Sequence, residues 1–60
     1  MDPQACLERW RSAVRIDDEE EAYEAAHDLV AWLDRGGFQP KWKDSSEVRA
    51  LRADALQWKP

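Results

Sequence analysis

Residues 34–42 of this chain read Asp34-Arg35-Gly36-Gly37-Phe38-Gln39-Pro40-Lys41-Trp42. The Gly-Gly pair is typical of the left-handed cap that ends a helix, and Arg35 places a positive charge at the negative end of that helix. Pro40 biases the residue before it towards an extended conformation, so this loop is predicted to cross the molecule rather than coil. The loop also carries Phe38 and Trp42, two large rings that gain nothing from exposure to water. They therefore either close the core or bind a partner.

Apolar residues recur at helical spacing on both sides of this loop, and no alternating strand pattern competes with them. We predict an all-α, three-helix domain over residues 1–60, with the Gly-Gly-Phe loop between the second and third helices. The predicted helices span about residues 3–15, 18–35 and 45–58. Asp2 and Asp44 are the predicted N-caps of the first and third helices.

Each predicted helix has one apolar face. The strongest belongs to the second helix, where six residues lie within an arc of about 120°: Ala22, Tyr23, Ala26, Leu29, Val30 and Leu33. In the first helix the predicted stripe is Leu7, Trp10 and Val14, with Cys6 and Ala13 on one flank. In the third helix Val48, Leu51, Ala55 and Trp58 share a face, and Leu56 lies off it beside Arg52.

Sixty residues are close to the lower limit for a domain that folds without metal or disulfide. The single cysteine excludes an intramolecular disulfide. Four Trp, one Tyr and one Phe are a large aromatic supply for such a chain, so a homodimer that buries some of them is an open alternative. No apolar run is long enough to span a bilayer and no secretion signal is evident, so we expect a cytoplasmic protein without membrane contact.

The net charge of −4 conceals an asymmetry between the two parts of the chain. Residues 1–34 hold ten acidic and three basic side chains, a net charge of −7. Residues 35–60 hold three acidic and six basic side chains, a net charge of +3. Such polarity favours attraction between the two parts, within one chain or between two chains.

The residues with catalytic or metal-binding potential are few. Glu24 and His27 have the spacing of half a di-metal site, but helical geometry points both away from the predicted apolar face. Cys6 lies near a helix N-terminus, which would lower its pKa, although a place beside the core is the simpler interpretation. We therefore expect no enzyme activity, no metal or other cofactor, and no small-molecule substrate.

The leading functional hypothesis is a protein-interaction module that binds itself or a partner protein through an aromatic patch. The proposed contact residues are Trp32, Phe38, Trp42 and Trp58. Aromatic rings bordered by Arg and Lys are typical of interface centres. In the alternative interpretation of the same rings, Trp42 and Trp58 pack across the first two helices and close the core.

Two nucleic-acid hypotheses are the alternatives to protein binding. A small regulator would use the basic C-terminal third, with contacts from Lys41, Lys43, Arg49 and Arg52. The net negative charge argues against it, as does the predicted loop of residues 36–43, which is longer than the turn of a helix-turn-helix. The second alternative is an acidic mimic of nucleic acid, formed by the acidic residues of the second helix.

Overall fold

The computed structural model describes all 60 residues and contains three α-helices and no strand. Helix α1 spans Pro3–Arg15, α2 spans Glu19–Asp34 and α3 spans Ser45–Ala55. The predicted all-α, three-helix class is confirmed. The bounds of α1 match the prediction, and those of α2 differ by one residue at each end.

Helix α2 is the central element, packed against α1 on one side and α3 on the other. Nine apolar residues form the buried core: Cys6, Leu7, Trp10, Ala13, Ala22, Ala25, Ala26, Leu29 and Leu51. Three of the four α2 residues in this set are alanines, which lets α1 and α3 approach the α2 backbone closely. The core is therefore small, and its large side chains are three leucines and one tryptophan.

The connection between α1 and α2 is a tight turn around Asp17, whose φ of 58° lies in the left-handed region. The amide of Asp18 donates to Ala13 O at 2.9 Å and that of Asp17 to Val14 O at 3.2 Å, which satisfies the last carbonyls of α1. The Asp18 carboxylate accepts from the Glu21 amide at 3.2 Å and caps α2. One short acidic segment thus ends one helix and starts the next.

Replacing Asp17 by glycine is expected to stabilise the fold. A side chain at positive φ is strained, whereas glycine adopts this conformation freely. Asp17→Ala is the matched control, because it removes the same charge and keeps the strained Cβ atom. We expect Asp17→Gly to exceed Asp17→Ala in free energy of unfolding by about 1 kcal/mol, measured by urea denaturation. Equal stability of the two variants would contradict strain at this position.

The C-terminus of α2 is capped by glycine. Gly36 has a φ of 87°, and its amide donates to Leu33 O at 3.0 Å while the Gly37 amide donates to Trp32 O at 3.0 Å. Gly37 also lies directly against the indole of Trp32, where a Cβ atom would overlap the ring. Gly36 is thus required for the backbone conformation, and Gly37 is required because the Trp32 ring lies so close to it.

The loop before α3 runs along α1. The Lys41 amide donates to Gln4 Oε1 at 2.7 Å, and Lys41 O accepts from Arg11 at 3.2 Å. Arg11 also donates two hydrogen bonds of 2.8 Å to the Glu47 carboxylate, which accepts a third from the Lys43 amide. Glu47 therefore fastens both the loop and the first turn of α3 to α1.

The prediction for the end of the third helix is wrong, because α3 ends at Ala55 rather than at residue 58. The amides of Gln57 and Trp58 donate to Asp54 O at 2.9 Å and Ala55 O at 3.3 Å, three residues back. Such bonds tighten a last turn and direct the chain away from the helix axis. As a result, Trp58 does not extend the apolar face of α3.

Val14 is also misplaced by the sequence prediction, since it is 46% exposed. Helix α3 packs mainly on α2 and reaches α1 through polar bonds, from Trp10 Nε1 to Asp54 at 2.9 Å and from Arg11 to Glu47. The apolar face of α3 therefore does not cover this part of α1, and Val14 stays nearly half exposed.

Candidate protein-binding groove

An open groove of about 760 Å³ lies between the C-terminal half of α2 and the end of α3. Four α2 residues at helical spacing line one side: His27, Val30, Ala31 and Asp34. The other side is formed by the end of α3 and the segment after it, mainly Arg52, Ala55, Leu56 and Trp58. We refer to this site as the α2–α3 groove.

The groove follows from side-chain size and from where α3 ends. Leu29 is fully buried between the helices, whereas Val30 and Ala31, the next two residues, are only partly covered. Ala31 and Ala55 have short side chains, so they leave the space between the two helices unfilled. Because α3 ends at Ala55, no further turn of helix covers this part of α2.

Leu56 is the most exposed large apolar side chain of the protein, at 84% of its surface. It stands at the edge of the α2–α3 groove, directly after the last residue of α3. Trp58 closes one end of the groove, where its ring meets the His27 ring at a centroid distance of 5.9 Å and an angle of 64°. The groove thus has an apolar projection beside an apolar depression.

The rim of the groove carries one charge of each sign. Arg52 Nη1 lies 3.8 Å from Asp34 Oδ1, and the two side chains are 48% and 65% exposed. An exposed pair at this distance contributes little to the stability of the fold. Both groups therefore remain free to contact a molecule that enters the groove.

The four predicted aromatic contact residues occupy three separate environments. Trp32 and Phe38 form an edge-to-face pair with centroids 5.5 Å apart, and Trp32 Nε1 donates to Phe38 O at 3.0 Å. Trp42 packs partly against the core, and its Nε1 donates to Gln39 Oε1 at 2.7 Å. Of the four, Trp58 alone lines the α2–α3 groove. Phe38 is 67% exposed, so the Trp32–Phe38 pair offers a second apolar edge.

The four basic residues predicted to contact nucleic acid are all exposed. Arg52 faces Asp34, and Arg49 donates to Ser46 Oγ at 3.3 Å. Lys41 and Lys43 lie on the loop that runs along α1, where their backbone amides are bonded. Their role in nucleic-acid binding stays a prediction.

The acidic face of α2 forms ion pairs with α1. Arg9 contacts Glu21, Glu24 at 2.8 Å and Asp28 at 3.3 Å, so one guanidinium bridges three carboxylates spaced along the helix. These are residues on which an acidic mimic of nucleic acid would depend. Their pairing with Arg9 reduces the negative charge that this face presents.

Cys6 is buried, and its Sγ donates to Ala25 O at 3.2 Å. Burial raises the pKa of this thiol, which agrees with the interpretation of Cys6 as a residue beside the core rather than a thiol activated by the helix N-terminus. No group of three or more His, Cys, Asp or Glu side chains is arranged to hold a metal ion. None of the three helices is both long and apolar enough to cross a membrane.

Comparison of the chain with models of protein families, with curated proteins and with solved structures gives no match. The groove is therefore interpreted from its own residues. Sequence reasoning did not identify it, although one signal was present. Leu56 lay off the predicted core face of the third helix, and a large apolar residue in that place had no partner.

Proposed function

We propose that this chain is a small non-enzymatic protein-interaction module that binds the apolar side of a protein helix in the α2–α3 groove. The observation that carries the proposal is the placement of Leu56, 84% exposed, beside an apolar depression of about 760 Å³. Trp32, Phe38 and Trp42 are peripheral to this surface, and their part in binding remains a prediction.

The groove has two sides, a helical stripe of α2 side chains and the end of α3 with the segment after it, and the open space between them suits a third helix. A helix that docks there would place its apolar side chains over Val30 and Ala31 while Leu56 packs against its flank. Burial of such surface contributes roughly 25 cal/mol per Å². Trp58 and Arg52 supply the residue types that most often dominate binding energy at interfaces.

Site-specific photo-crosslinking in cells tests this function and requires no candidate partner. A photoreactive residue replaces Leu56 in one variant and Ile16 in the control; Ile16 is 69% exposed and does not line the groove. We expect a discrete protein adduct from position 56 and none from position 16, whether the captured protein is another molecule or a second copy. Absence of an adduct from position 56, or equal adducts from both, would contradict the proposal.

A further inference from the structure

We propose that the occupant of the α2–α3 groove is the same surface of a second copy of this chain, which yields a two-fold symmetric dimer. This inference rests on the proposed function, since it names the protein that the groove binds. In such a contact each copy presents the same residues, so the surface must be complementary to itself. The shape and the charge of the groove both meet this condition.

The shape is self-complementary because projection and depression lie side by side. A two-fold axis between them would place Leu56 of each copy over Val30 and Ala31 of the other. Two α2–α3 pairs would then pack as four helices around a shared apolar layer. A partner with only a projecting side chain would fill the groove but leave Leu56 in water.

The charge distribution is self-complementary because the rim of the groove carries one acidic and one basic side chain, Asp34 and Arg52. Two molecules with a net charge of −4 repel each other in general, so a self-contact needs a surface where the signs balance. The two-fold arrangement would bring Arg52 of one copy towards Asp34 of the other. Each charged group would then gain a second partner on the other copy, because the 3.8 Å contact within the chain leaves both groups available.

The size of the surface sets the expected strength of the dimer. The chain exposes 4138 Å², and a standard interface of about 800 Å² per partner would cover about a fifth of that area. Nine residues line the groove, fewer than the roughly 20 that a standard interface uses on each side. We therefore expect a weak dimer, with a dissociation constant on the order of 10 µM.

Sedimentation equilibrium over a range of concentrations measures the association directly. The wild-type chain should pass from monomer to dimer, and Leu56→Glu should remain a monomer up to about 1 mM, a weakening of about 100-fold. The control Ile16→Glu adds the same charge at an exposed aliphatic position outside the groove and should dimerise nearly as the wild type does. Circular dichroism verifies that each variant is folded.

Charge reversal with mixing tests the pairing across the two-fold axis. Asp34→Arg and Arg52→Asp should each be monomeric alone, because like charges would face each other in both homodimers. An equimolar mixture should form a one-to-one heterodimer, whereas a purely intrachain Asp34–Arg52 contact predicts no effect of mixing.

A strictly monomeric wild type at about 1 mM would overturn the dimer, as would an unchanged dimer in Leu56→Glu. A mixture that behaves like its separate components would overturn the two-fold pairing. A monomer that still gives a Leu56-specific adduct with another protein would leave the proposed function standing. A monomer without such an adduct would remove both proposals.

Discussion

Leu29→Ala is expected to lower the free energy of unfolding by about 3 kcal/mol, which is about half of the total stability of a domain this small. Leu29 is fully buried on the central helix α2. Its removal leaves a cavity lined partly by the helix backbone and by small residues such as Ala25 and Ala26, which cannot move to fill it. The loss should appear as a lower urea midpoint with an unchanged slope.

Leu56→Ala is the matched control for this experiment, because it deletes the same atoms from a side chain that is 84% exposed. At about 1 µM protein, below the range of self-association, its effect on unfolding should stay under about 0.5 kcal/mol. Comparable losses for the two variants would mean that α2 is not the centre of the core.

Glu47→Gln is expected to destabilise the chain by about 2 kcal/mol at neutral pH. The Glu47 carboxylate accepts two hydrogen bonds of 2.8 Å from Arg11 and a third from the Lys43 amide. A neutral amide cannot accept both guanidinium bonds, and it leaves the charge of Arg11 without its partner. Because this contact joins α1 to both the loop and α3, its loss should lower the midpoint of global unfolding.

The same contact predicts a defined pH dependence. The hydrogen bonds from Arg11 hold the pKa of Glu47 at about 2, below its ordinary value of 4.5. A carboxylate whose pKa is lowered by folding stabilises the native state above the unfolded pKa. That stability is lost as the pH falls from 4.5 towards 2, where the folded state is protonated as well.

The measurement is the difference in free energy of unfolding between wild type and Glu47→Gln as a function of pH. The difference should be constant above the ordinary pKa of 4.5 and shrink towards zero as the pH approaches 2. Glu20→Gln is the control, since Glu20 lies in the first turn of α2 and accepts no side-chain hydrogen bond. A pH-independent difference for Glu47 would show that the ion pair does not form in solution.

The helix boundaries were largely predictable, because caps are local features of the chain. Asp2 accepts from the amides of Gln4 and Ala5, and Asp44 from that of Glu47, as their positions before each helix imply. The Gly-Gly pair ends α2 for the same local reason. The end of α3 carries no such signal, so the apolar pattern predicted three residues too many.

The core was predictable only in part, because burial depends on the relative placement of helices. Ala25 is fully buried against α1, yet it lies beside the predicted apolar stripe of α2, so the sequence pattern did not predict it as a core residue. Val14 lies on the predicted stripe of α1 and is nearly half exposed, since α3 meets α1 through polar bonds.

By itself, then, the amino-acid sequence determined what depends on neighbours along the chain: three helices, their caps, the glycine turn, and which helix is central. The tertiary structure alone decided that Leu56 borders a groove, that Trp58 meets His27, and that Glu47 fastens α3 to α1. These features join residues far apart in sequence, and their distances follow from packing angles and from where α3 stops. Helical periodicity describes one helix at a time, so it carries no information about the space between two.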